Sequence, residues 1–229
     1  VTMPVHQGNA PSDVRALLER VRPAAVVLPA RTQEGGNPLT GPALREVLPE
    51  LRAVLVTGDG AGEGTETVTE MLERWSGEDP LPVEVRPDSP FLLLPSSGTT
   101  SARPKICLHS HEGLLTNSRA ATEDTADAYA GTLITACPLT HCFGLQSAYS
   151  ALFRAGRQVL LSGWDVGRFL ELARRERPSV VVAVPAQLHD LVTRVREDAD
   201  GPGFRPGRIL TAGAALPPAL VRDVREALD

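Results

Sequence analysis

An α/β fold, with mostly parallel sheets flanked by helices, is predicted for this 229-residue chain by three observations. Helix-period segments alternate with short β-branched runs over nearly the whole length, the pattern of parallel strands covered by helices. Several of those runs, such as AAVVLPA (24–30), RAVLVTG (52–58) and SVVVAVP (179–185), are continuously apolar, as in strands buried on both faces. Glycine- and proline-rich punctuation separates the segments.

Taken in order, PSDVRALLERV (11–21) carries Val14, Leu17, Leu18 and Val21 at i, i+3, i+4, i+7, which predicts a helix with Ser12 as its N-cap. AAVVLPA and RAVLVTG follow as strands. GDGAGEGTE (58–66) is a turn-rich acidic loop, and ETVTEMLERW (66–75) is a helix. SGEDPLPVEVRPDSP (76–90) is proline-rich and polar, a connector, so residues 1–90 are assigned to a partial first α/β subdomain with its linker. Residues 91–229 form the second subdomain. Its strands are FLLLP, KICLHSH, TLITACP, RQVLLSG, SVVVAVP and GRILTAG. Its helices are EGLLTNSRAATED, GLQSAYSALFRAG, VGRFLELARRER, AQLHDLVTRVRED and PPALVRDVREALD. The first-subdomain run DVRALLERVRPAAVVLPA is echoed by DVGRFLELARRERPSVVVAVPA. Both read as helix, Arg-Pro, apolar strand, Pro-Ala, from which two related subdomains are expected; chance likeness of two amphipathic units is the competing account. The opening VTMPV reads as a strand already under way, and the chain is expected to be part of a longer one.

Composition narrows the function classes. A net charge of −5 gives no general footprint for nucleic acid or an acidic membrane surface. No apolar run approaches the length of a bilayer span. The three cysteines, Cys107, Cys137 and Cys142, lack paired spacing and read as reduced thiols of a cytoplasmic protein. His109, His111 and Cys142 lack further ligands at a recognisable spacing, so no metal site is assigned. His111 is expected to be structural, near the start of the helix after Ser110. Cys142 with a histidine would make a nucleophile pair only if the fold brought the two together.

One bias is informative: of 23 basic residues only Lys105 is a lysine. It follows the small, hydroxylated run SSGTTS, Ser96 to Ser101. Such a loop between two apolar runs exposes backbone N–H groups and hydroxyls in one turn, suited to phosphate oxygens, and the lysine adds a compact cation. Seven positions separate Gly98 from Lys105, and Pro104 and Ile106 flank the lysine, so this is not a Walker A loop. GDGAGEG has the wrong glycine spacing for a dinucleotide fingerprint, and its Asp59 and Glu63 would repel a pyrophosphate.

SSGTTSARPK followed by CLHSHEGLLTN resembles the phosphate-binding motif of the adenylate-forming (AMP-binding) enzymes: acyl- and aryl-CoA synthetases, adenylation domains of peptide synthetases, and luciferases. CPLTHCFGL (137–145) is similar to the family's Pro-Leu-x-His-x-x-Gly motif. ILTAGAALPPAL is similar to its strand-Gly-Gly-Ala-x-Leu-Pro segment, and VVVAVPAQLHDL lies where the family has a Val-Pro pocket strand. The resemblance implies the family's large N-terminal domain. It also implies that a small carboxylic acid is activated by ATP as an acyl-adenylate and passed to a thiol. That thiol is CoA or the thiol of an acyl carrier protein, and Mg2+ enters through the nucleotide phosphates. By the same resemblance Ser96, Ser97, Gly98, Thr99, Thr100 and Lys105 cradle phosphates, and Gly213 and Ala214 form a flat wall beside adenine and substrate. His141 stands at the carboxylate end of the acyl pocket as the catalytic candidate, with Phe143, Gly144, Val184, Pro185 and Gly213 lining it.

Three family features are absent, and the loop itself departs from the family pattern. No Tyr-Gly-x-Thr-Glu segment and no ribose-binding aspartate motif follow TAGAALPP, and there is no second lysine. The 229-residue chain alone is therefore expected to be inactive in adenylation. In the loop, Ser-Ala-Arg (101–103) stands where the family has Gly-x. Two alternatives to ordinary adenylation follow: a ligase-like protein that uses a preformed acyl-adenylate only, and a non-catalytic adenylate-binding module. FGLQSAYSALF carries no acid for a substrate amine, which favours an organic acid lacking one.

Overall fold

The computed structural model describes residues 1–6, 8–32, 35–36, 39–58, 60–95, 105–123 and 126–228. They fall into two units, Val5–Glu84 and a second made of Val1–Pro4 with Val85–Asp229.

In the first unit, α1 is Pro11–Val21. Its N-cap lies two residues earlier than the expected Ser12: Ala10 is the N-cap, with no side-chain cap bond, and Pro11 opens the helix. Proline's fixed φ suits the first helical position and its missing N–H costs nothing there, so it displaces Ser12 as the start signal. Strands β1 (Ala25–Pro29), β4 (Ala53–Thr57) and β5 (Glu66–Thr67) form a parallel sheet in the order β1-β4-β5. The short pieces β2 (Arg31–Thr32) and β3 (Gly35–Gly36) pair antiparallel. Helices α2 (Gly41–Val47) and α3 (Val68–Arg74) complete the unit. Its core is Leu18, Val26, Leu28, Leu44, Leu48, Leu51 and Val54. Thr67 and Glu70 close a capping box on α3, which explains why that helix starts only at Val68.

In the second unit, β6 (Pro90–Pro95) and β7 (Ile106–Ser110) pair antiparallel, with Pro95 opposite Ile106. This is the main exception to the parallel expectation. Pro95 and Ile106, which flank the segment 96–105, therefore lie side by side. VTMPV contributes a single parallel bridge, Thr2 to Leu92, rather than a strand. Helix α4 (His111–Thr122) is capped by Ser110, whose Oγ accepts from the Gly113 N–H at 3.1 Å. His111 accordingly opens the helix and stacks on Phe91, ring centroids 4.3 Å apart.

After the short α5 (Ala126–Tyr129) come β8 (Thr132–Thr135), α6 (Cys142–Phe153), β9 (Arg157–Leu160) and α7 (Val166–Glu176). Then follow β10 (Val180–Val182), α8 (Pro185–Glu197), β11 (Arg208–Leu210) and α9 (Pro218–Leu228). The four strands form one parallel sheet in the order β11-β10-β8-β9. Side-chain alternation sorts the helices between its faces. Ile134 and Val181 join Phe169, Leu191 and Leu220 from α7, α8 and α9. Leu133, Val180 and Val182 join Tyr129 and Ala151 of α6 on the other side. Val180, Val181 and Val182 are each 0% exposed, as a strand covered on both faces must be.

The internal echo has a geometric counterpart. Helices α1 and α7 both end on an arginine in the left-handed region, Arg22 at φ 49° and Arg177 at φ 44°, each N–H reaching back four residues. A proline follows each and disfavours the α conformation at the residue before it, so both helices stop at the same signal.

Candidate functional site

In an open parallel sheet, ligands bind outside the carboxyl ends of the strands, where the strand order reverses. Here β8 is followed through α6 by β9 on one side, while β10 lies on its other side, so the reversal falls between β8 and β10. The turns leaving those strands carry His141 and Phe143 after β8, Val184 and Pro185 after β10, and Gly213 and Ala214 after β11. The topology thus gathers six sequence-assigned residues at one sheet edge.

His141 is the N-cap of α6. Its Nδ1 accepts from the Phe143 N–H at 3.4 Å and lies 3.7 Å from the Cys142 sulfur. Accepting a backbone amide at Nδ1 assigns the neutral ring's proton to Nε2, which can then donate. The side chain is exposed at the start of a helix, where the first N–H groups lack intrahelical partners. Gly144, one turn in, is buried. A Cβ there would stand 2.3 Å from the Pro138 carbonyl oxygen and 2.6 Å from that of Cys137. Only glycine lets α6 fold back on the turn it came from.

Phe143 and Val184 pack on the same cluster, around Cys137 and Val182. Gly213, at φ 90°, would place a Cβ 3.6 Å from Val184 Cγ1, so the β11 turn lies against the β10 turn. Pro185 is buried at the first position of α8, and Ala214 is exposed.

A buried polar lattice, missed from the sequence, ties the first two turns together. Thr135 Oγ1 donates to the Val182 carbonyl at 2.8 Å and accepts from the Cys137 N–H at 3.0 Å. Gln187 Oε1 accepts from the Val184 N–H at 3.0 Å and lies 3.6 Å from the Cys137 sulfur. Burial pushes the Cys137 thiol pKa up, against the lowering effect of its hydrogen bond with Thr135, so the thiol is a donor at neutral pH. The signal was available: Thr135 and Gln187 interrupt otherwise apolar stretches. Thr211, just past β11, has a buried hydroxyl with no hydrogen-bond partner among the described residues.

Lys105 belongs to the other sheet. It is exposed and immediately precedes β7, beside the Pro95–Ile106 pair. Ser96, Ser97, Gly98, Thr99 and Thr100, with residues 101–104, lie outside the described residues. Among the described residues no group of three or more His, Cys, Asp or Glu side chains is placed to hold a metal ion. No helix among them is long and apolar enough to cross a membrane.

The AMP-binding enzyme family model matches residues 1–229, and the chain belongs to that family. It is 98% identical over 186 residues to Protein Y of Streptomyces griseus, covering 81% of this chain and 61% of that protein. It is 30% identical over 184 residues to the indoleacetate–CoA ligase of Aromatoleum aromaticum, covering 80% of this chain and 35% of that enzyme. The chain therefore spans less than two thirds of either relative. Among solved structures, ATP-bound MatB from Rhodopseudomonas palustris superposes with a TM-score of 0.78 at 22% identity, covering 99% of this chain and 42% of that one. This likeness establishes the shared fold.

Proposed function

We propose that this chain is part of an ATP-dependent acid–thiol ligase that activates a small carboxylic acid as its acyl-adenylate and passes the acyl group to CoA or a carrier-protein thiol. The observation that carries the reading is the meeting of Val184 with Gly213, with Phe143 and Val184 packed on one apolar cluster, at the carboxyl edge of a parallel sheet in an AMP-binding chain. Relatives named as CoA ligases support it.

In this reading Gly213 and Ala214 give a flat, side-chain-poor surface for the adenine and the acyl group, with Val184 and Phe143 as the apolar wall. His141, held through Nδ1, presents its Nε2–H to the reacting carboxyl group and steadies the charge that moves from carboxylate to adenylate. Lys105 meets phosphate charge at the end of the segment 96–105, which is flanked by the paired Pro95 and Ile106. Mg2+ arrives with the nucleotide. The protein works in the cytoplasm. The polar lattice of Thr135, Cys137 and Gln187 keeps the β8 and β10 turns in register, so that the wall and the histidine hold one geometry.

Acid-dependent exchange of labelled pyrophosphate into ATP, measured on the longer protein with aliphatic and aromatic acids, tests the reading. Exchange with at least one acid is expected. Its absence across the panel, with ATP binding retained, would favour a module that binds adenylate without turnover.

A further inference from the structure

A cavity of about 540 Å3 opens at the amino edge of the four-stranded sheet, opposite the edge that carries His141 and Gly213. Arg177, just before β10, and Arg205, just before β11, line it together with Gly203, the buried Phe204 and Glu226 from the last turn of α9. Its size lies within the range of small-molecule sites.

The wall is built rather than incidental. Arg174 on α7 holds the loop before β11 by three bonds: Nη2 donates to Asp198 Oδ2 at 2.7 Å and to the Gly201 carbonyl at 2.6 Å, and Nε to the Pro202 carbonyl at 3.1 Å. Gly203 adopts φ 69°, and a Cβ there would come within 3.0 Å of the Arg174 stem, so the loop lies directly on that side chain. Phe204, 5% exposed, anchors the loop in the core.

Against this fixed wall, the guanidinium groups of Arg177 and Arg205 make no hydrogen bond or ion pair with any described residue. That contrasts with the committed Arg174, and it leaves two uncompensated cations on one cavity of a chain whose net charge is −5. Glu226, the one carboxylate on the wall among the described residues, already lies 3.5 Å from Arg196 Nη2. Two forked cations match a dianion better than a monoanion, and a phosphate monoester is the common biological dianion that guanidinium groups grip bidentately.

We propose that this cavity binds a small phosphate monoester, with Arg177 and Arg205 holding the phosphate and Glu226 accepting from a hydroxyl group of the organic part. The site is separate from the Lys105 segment, which belongs to the β6–β7 sheet.

The test is calorimetric titration of the 229-residue chain with glycerol 1-phosphate, inorganic phosphate and acetate at low ionic strength. Saturable binding of the ester is expected, weakened at least about 10-fold by Arg177→Gln and by Arg205→Gln, as loss of a charge-assisted bond implies. Glu226→Gln should weaken the ester but not inorganic phosphate, and Lys105→Ala should leave ester binding unchanged. Both arginines are exposed, and circular dichroism of each variant verifies that the fold is intact. Unchanged binding in the Arg177→Gln, Arg205→Gln double variant would overturn the proposal. So would loss of binding in Lys105→Ala, or acetate binding as tightly as the ester. None of these measurements depends on adenylation, so the site can fail while the ligase reading stands.

Discussion

The Thr135 hydroxyl donates to the Val182 carbonyl at 2.8 Å, spanning two parallel strands 47 residues apart in sequence. The same oxygen accepts the Cys137 N–H, so one buried side chain satisfies a carbonyl on β10 and an amide in the β8 turn. Replacing Thr135 with Val keeps the shape but leaves that amide without its acceptor in the core. A loss of about 1–3 kcal/mol is expected, readable in urea unfolding as a lower midpoint at unchanged slope. Thr135→Ser should recover most of it. A Val variant as stable as the parent would show that the turn satisfies its amide elsewhere.

Gly144 gives a sharper steric prediction. A methyl group there meets the carbonyl oxygens of Pro138 and Cys137, which are backbone atoms that cannot swing aside. Gly144→Ala should therefore cost at least about 1–3 kcal/mol, the range for overpacking. Gly163→Ala, whose added Cβ would meet nothing within 4 Å, serves as the matched control. Equal thermal midpoints for the two variants would refute the close approach.

Stability in acid should depend on the Arg174–Asp198 pair. Hydrogen bonding from Arg174 holds the Asp198 carboxyl group below its usual range, so the native state binds fewer protons than the unfolded chain just below that range. The contribution is present above the unfolded value, about 3.9 for aspartate, and disappears as pH falls through the folded value. Arg174→Gln should flatten the fall of the thermal midpoint over that acid window, while also loosening the loop before β11. Parallel pH profiles for parent and variant would count against the pairing.

Much of this was legible in the sequence, and the failures have physical causes. Periodicity located the helices because each buries one apolar stripe, as Phe169, Leu170, Leu172 and Ala173 do on α7. It located the strands because valine runs such as 180–182 are buried on both faces. It could not show that β7 returns antiparallel on β6, since apolar runs carry no direction. Ser12 lost the cap position to Ala10 because Pro11, a start signal for the first helical position, stood directly before it. In the candidate site, the glycines and the histidine were named only through the family resemblance of the motifs that carry them. Thr135 and Gln187 were not, because their partners are backbone groups brought together only by strand pairing.

His141 is both helix cap and candidate catalytic group, and the two roles can be separated. His141→Ala removes cap and imidazole together; His141→Asn restores a good N-cap while still deleting the ring. In the longer protein both variants should lose about 10- to 1,000-fold in acid-dependent turnover, whereas only the alanine variant should lose about 1 kcal/mol of stability. Full activity in His141→Asn would return His141 to a purely structural role.

The 229-residue chain, holding Lys105 as its one lysine, is predicted to show no acid-dependent pyrophosphate exchange by itself. The assay on the purified chain, set beside an acid-free blank, decides it. Exchange above that blank would mean that no second cation is needed for the adenylation step.

The segment closed by Pro95 and Ile106 carries the last prediction. Its hydroxylated run is suited to phosphate and its lysine to the phosphate charge, yet Ser101 stands where the family has glycine, and one extra residue precedes Pro104. A residue with a Cβ resists left-handed torsions at a cost of roughly 1–2 kcal/mol, and an added residue lengthens the path to Lys105 by up to about 3.5 Å. If the segment grips the β- and γ-phosphates as proposed, both changes are expected to weaken that grip, whereas Val184, Phe143 and Gly213, the proposed wall, follow strands of another sheet. On the proposed reading a synthetic acyl-adenylate needs only that wall. Supplied to the longer protein with CoA, it should form thioester faster than the same acid with ATP does. Replacing Ser101-Ala102-Arg103 by Gly-Arg, which restores the family spacing, should raise the ATP-dependent rate and leave the adenylate-dependent rate alone. Equal rates from both donors in the parent would show that the longer, serine-bearing segment holds ATP as well as the family's own does.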